Sequence, residues 1–122
     1  MMNISDSPVL LAATTGGTEA IEEKAGMVSA QLGQLSNPIR LLVLCKLAGG
    51  EMSVGALQAE LGLGQSALSQ HLARLREAGM VATRRAGTTI HYRIADPRVA
   101  RLMMALDAIY CRPEAGTGPG AG

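Results

Sequence analysis

After Thr18, a side chain suited to cap a helix, the apolar residues Ile21, Ala25, Val28, Leu32 and Leu35 recur alternately four and three positions apart. That spacing predicts a first helix with a narrow apolar seam of the kind that meets another helix. Ser36-Asn37-Pro38 joins a capping side chain to a proline at the first helical position, and Ile39 to Ala48 follows as a mostly apolar second helix stopped by Gly49-Gly50. Such a helix belongs at the centre of a fold. Ser53 caps a short third helix that aligns Val54, Leu57 and Leu61 and ends at Gly62. Gln65 to Ala78 then reads as a fourth helix with Leu68, Leu72 and Leu75 on one face, stopped by Gly79.

The period changes after Gly79. Val81 to Arg85, a turn at Ala86-Gly87 and the segment Thr88 to Ala95, where Ile90, Tyr92 and Ile94 alternate with His91 and Arg93, predict a β-hairpin. Asp96-Pro97 starts a last helix with an apolar seam through Val99, Leu102, Met103, Leu106 and Ile109 to Cys111, and Pro113 stops it. A helix, a tight glycine-containing turn and a helix, followed by a hairpin, make a winged helix-turn-helix. The predicted class is mainly α with a β-hairpin wing, in the order α-α-α-α-β-β-α. Residues 1–17 and the Gly-rich tail 113–122 read as disordered ends around one domain spanning 18–112.

Composition sharpens this picture. The 122 residues contain no Phe or Trp and only two Tyr, so the core is built from Leu, Ile, Val, Ala and Met. No apolar run approaches the roughly 20 residues that span a bilayer, and the apolar stretch at 8–13 lacks the basic flank of a signal peptide. The expectation is a cytoplasmic protein with no membrane partner. A net charge of +1 argues against a nucleic-acid partner until it is divided along the chain. Residues 1–61 carry an acidic excess, whereas seven arginines between Gly64 and Arg101 face only Glu77 and Asp96. A dimer doubles that basic region, the footprint of a module that meets phosphates.

If Leu68, Leu72 and Leu75 face the core, a 100° step per residue turns Ser66, Ser69, Gln70, Ala73 and Arg74 outward, with Gln65 and His71 on the same helix. Ser and Gln donate and accept at base edges, and Arg forks onto guanine. An ordinary solvated helix face is the plainer alternative. Arg84, Arg85, Thr88, Thr89, His91 and Arg93 lie on or beside the hairpin tip, placed for phosphates or a minor groove. The plainer reading of this set is a charged ribbon that protects a strand edge.

The run Leu61-Gly62-Leu63-Gly64-Gln65-Ser66-Ala67-Leu68-Ser69-Gln70-His71-Leu72-Ala73-Arg74-Leu75-Arg76-Glu77-Ala78-Gly79-Met80-Val81, preceded by Asn37-Pro38-Ile39-Arg40-Leu41, resembles the ArsR (SmtB-like) family of bacterial winged-helix repressors. The resemblance covers about Thr18 to Arg112. It implies a homodimer paired through the first and last helices, double-stranded operator DNA as partner, and release of that DNA when an inducer binds. Most such repressors sense metals, but the third-helix thiolate positions read Ser53-Val54-Gly55 here. The last-helix positions offer Asp96-Pro97-Arg98, then Asp107 and Tyr110, so neither a metal site nor a cofactor is expected.

Cys45 and Cys111 are the only cysteines. Each alone reads as an apolar filler that a reducing cytosol keeps as a thiol. Together, on the second and last helices, they resemble the persulfide-responsive branch of BigR- and SqrR-like repressors. That resemblance implies redox sensing, in which reactive sulfur species join the two as a disulfide or polysulfide bridge and weaken DNA binding. A response to general oxidants or arsenite, and inert cysteines in a DNA-binding regulator, are the alternatives. Nothing in the sequence supplies a base or an oxyanion site beside either thiol, so no enzyme is expected.

Overall fold

The computed structural model describes residues 17–111. The arm expected at 1–17 and the tail expected at 113–122 lie outside this range, except that Gly17 opens a helix instead of closing the arm. Two units are described separately, with a boundary after Gly33.

The first unit contributes α1, Gly17–Gln34, whose seam residues Ile21 and Leu32 are each about half exposed. The second contains α2 (Pro38–Ala48), β1 (Met52–Ser53), α3 (Val54–Leu61), α4 (Gln65–Glu77), β2 (Val81–Ala86), β3 (Thr89–Ile94) and α5 (Pro97–Tyr110). The expected order of helices and hairpin is therefore present, with one strand added.

The helix ends follow from their capping chemistry. Asn37 Oδ1 accepts from the backbone N–H groups of Ile39 (2.9 Å) and Arg40 (3.0 Å), with Pro38 opening α2. Ser53 Oγ accepts from Ala56 N–H at 3.1 Å to start α3, and Gly62, at φ 65°, ends it in the left-handed conformation. At the end of α4, Gly79 N–H donates to Arg76 O and Met80 N–H to Leu75 O, both at 3.0 Å, around a left-handed Gly79. That is a Schellman closure, and the buried Leu75 and Met80 supply its apolar contact. Asp96 Oδ1 accepts from Arg98 N–H at 3.0 Å to start α5.

One core holds the second unit together. It contains Val43, Leu44 and Leu47 of α2, Leu57 of α3, Leu68, Leu72 and Leu75 of α4, then Met80, Val81, Val99 and Met103. All three predicted leucines of α4 are inside, each contributing on the order of 2 kcal/mol by leaving water. Around them pack Tyr92, Ile94, Leu102 and Leu106, half buried.

The hairpin carries a difference from the sequence reading. Ala86 pairs with Thr89, so the turn is Gly87-Thr88, one residue later than expected, with Gly87 at φ 64°. A two-residue hairpin loop favours positive φ at its first position, and Gly87 provides it. The added strand β1 pairs antiparallel with β3, Met52 opposite Tyr92 and Ser53 opposite His91, giving the sheet order β1-β3-β2. Two residues show no periodicity to read.

Candidate nucleic-acid interface and thiol cleft

On α4, Gln65, Ser66, Ser69, Gln70, Ala73 and Arg74 are all exposed, while Leu68, Leu72 and Leu75 are buried. The pairs Gln65/Ser69, Ser66/Gln70 and Gln70/Arg74 stand one turn apart, so the polar groups form a continuous stripe. The stripe joins short hydrogen-bonding side chains to one guanidinium, a set able to reach base edges.

His71 is placed differently from this stripe. It is half buried, and its Nδ1 lies 3.4 Å from a terminal nitrogen of the Arg40 guanidinium, whose Nε donates to the carbonyl of Gln34 at 3.0 Å. Burial first, then the nearby positive charges of Arg40 and Arg74, hold the His71 imidazole below its ordinary range. His71 therefore faces α2 as a neutral packing and hydrogen-bonding group.

The wing distributes its candidates over two faces. The register Arg84–His91 and Ala82–Arg93 sets Arg84, His91 and Arg93 on one face of the sheet, with Arg85 opposite Ile90 on the other. Thr88 is exposed in the turn. Arg84 is not a free cation. Its Nε donates to both carboxylate oxygens of Glu51, at 2.8 and 2.9 Å, and its Nη2 lies 2.8 Å from Oε1. Glu51 is accordingly held below the usual carboxylate range, mainly by the Arg84 hydrogen bond and then by the charges of Arg84, His91 and Arg93. Sequence reasoning missed both Glu51 and Arg40. Their partners lie 33 and 31 positions away, so only the unforeseen strand β1 and the packing of α2 on α4 reveal them.

Cys45 and Cys111 open into a single cleft between α2 and α5 of about 630 Å³. Its wall is largely apolar, including Leu41, Leu42, Met103, Met104 and Tyr110, with Lys46 and Asp107 as its charges. Both thiols are free and exposed, which sets aside the buried-filler reading of Cys45. The Cys45 thiol donates to the Met103 thioether sulfur across 3.9 Å. Desolvation in the cleft, then Cys111 and the Asp107 carboxylate, push the Cys45 thiol up. Lys46 opposes this shift, but its ammonium is 3.0 Å from Glu60, which offsets its charge.

At the last-helix positions tested for metal ligands, Asp96 caps α5 and pairs with Arg98 at 2.8 Å. Among the described residues no three His, Cys, Asp or Glu side chains gather, and no helix is long and apolar enough to cross a membrane.

Comparison with known proteins places this geometry in a family. Residues 37–83 match the profile described as bacterial regulatory protein, arsR family. The chain is 50% identical over 95 residues to the biofilm growth-associated repressor of Agrobacterium fabrum, covering 78% of this chain and 81% of that one. It is similar to the crystal structure of the transcriptional repressor BigR from Xylella fastidiosa, with a TM-score of 0.73 at 44% identity over 78% of this chain and 97% of that one. Reduced HlyU from Vibrio cholerae is similar at a TM-score of 0.73 and 38% identity, over 77% of this chain and 99% of that one. The winged helix-turn-helix seen here is thus shared with regulators that match it over most of both chains, and the chain belongs, as a BigR-like member, to the arsR family of bacterial regulatory proteins.

Proposed function

We propose that the protein is a dimeric transcriptional repressor that binds operator DNA through α4 and the wing. It releases that DNA when reactive sulfur species join Cys45 to Cys111. The observation that carries the reading is the opening of both thiols into one cleft between α2 and α5. The 50% identity to a biofilm growth-associated repressor supports repression. The exposed apolar side chains Met104, Ile109 and Tyr110 on α5 support pairing with a second copy.

The chemistry balances without a cofactor. One thiolate attacks the outer sulfur of a persulfide RS–SH, displacing RS⁻ and leaving Cys–S–SH. The other cysteine, as thiolate, attacks the sulfur bonded to the cysteine and expels HS⁻, which closes a disulfide. If a second sulfane sulfur is added first, attack on the middle sulfur of Cys–S–S–SH expels HS⁻ and closes a trisulfide. A direct disulfide needs Cα atoms within about 7 Å, and each extra sulfur relaxes that limit. Because α2 packs against α3 and α4 as well as α5, a bridge ties the support of the reading helix to the proposed dimer face. Two half-sites one helical turn apart tolerate little change in the spacing of the two reading helices.

Intact-mass measurement after treatment with a persulfide, a peroxide and arsenite tests the inducer. The proposal predicts a linked chain retaining extra sulfur, or the disulfide, after the persulfide. Loss of two hydrogens with peroxide alone, an arsenic adduct alone, or no change with any of the three contradicts it.

A further inference from the structure

One wing arginine, Arg84 on β2, is already occupied by a carboxylate. Arg84 sits on the same face as His91 and Arg93, and Glu51, the residue before β1, reaches across β3 to take the Nε/Nη2 edge of its guanidinium with three contacts of 2.8–2.9 Å. Both members of the pair are on the surface, exposed to solvent and to any approaching polyanion. A phosphate seeking the same edge must displace Glu51 or accept its negative charge alongside. In either case one cation and one anion arrive together. Six residue pairs of β2 and β3 fix the hairpin register without this tie.

We infer that Glu51 is a specificity-determining residue: it neutralises Arg84 so that the wing adds little sequence-independent affinity for phosphate, and DNA binding depends more heavily on the α4 stripe. This rests on the reading of the wing as a DNA-facing element. Counterion release makes the inference quantitative, because each net phosphate contact steepens the dependence of log affinity on log salt by about 0.9.

The experiment measures binding of full-length protein to a random-sequence duplex of about 20 base pairs by fluorescence anisotropy, between about 50 and 200 mM salt. Glu51→Gln removes the charge at nearly constant shape. Its affinity is expected to exceed wild type, with a salt slope steeper by about 0.9 per protomer, which is about a threefold greater affinity change per protomer across that range. Adding Arg84→Ala to Glu51→Gln is expected to return the slope to the wild-type value. Equal or weaker binding by Glu51→Gln, or a gain that survives Arg84→Ala, overturns the inference. The DNA-binding reading is tested separately by Gln70→Ala and Arg74→Ala on the α4 stripe. If these lower affinity while Glu51→Gln changes nothing, the Glu51 inference alone fails; if none of the variants alters DNA binding, the underlying reading fails with it.

Discussion

His71 combines a ring held against Arg40 with a backbone on α4, and its protonation opposes two neighbouring guanidinium groups. Its folded-state pKa is lowered, so below the ordinary histidine value of 6.5 the unfolded chain binds the proton more readily than the fold does. The His71 contribution to stability is therefore complete above that value and is lost as pH falls through it toward the lower folded pKa. Denaturant midpoints measured from pH 7.5 to 5 are expected to fall across this window in wild type and to fall less in His71→Gln. An equal fall in both would contradict the placement. Sequence alone grouped His71 with the DNA-contacting candidates of this helix, because its helical angle does not reveal Arg40. For the cysteines, the helix pattern and the family resemblance put the two on helices that pack together, and neither revealed the cleft or the Met103 thioether beside Cys45.

At the scale of elements, legibility followed local chemistry. Asn37-Pro38, Ser53, Gly62, Gly79 and Asp96-Pro97 fix helix ends through bonds spanning a few residues, and all five are where the pattern placed them. Gly79 offers a clean check, since an added Cβ there meets nothing within 4 Å and the only penalty is φ at +73°. Gly79→Ala is expected to cost about 1–2 kcal/mol in chemical denaturation, with the secondary structure by circular dichroism unchanged. A neutral result would mean that the α4 closure relaxes. The strand β1 was not legible, because two residues gain strand character only by pairing with β3, some forty residues downstream. The hairpin turn was displaced by one residue for a related reason: the pattern located the glycine but not its position in the loop.

Across the whole molecule, the seven arginines that first suggested a phosphate partner are all exposed but lie on three surfaces, Arg74 and Arg76 on α4, Arg84, Arg85 and Arg93 on the wing, and Arg98 and Arg101 on α5, with Glu51 moderating Arg84. The link between those surfaces and the thiol cleft is α2, which packs against both α4 and α5. In the proposed function, covalent joining of α2 to α5 couples sulfur chemistry to DNA release. Its most direct test follows complexes of the protein with DNA from the region upstream of its gene by fluorescence anisotropy, as a persulfide donor is added. Wild type is expected to release the DNA and to rebind it after thiol reduction, whereas Cys45→Ser and Cys111→Ser bind the DNA and retain it in the donor's presence. Release by either variant to the wild-type extent would contradict the account.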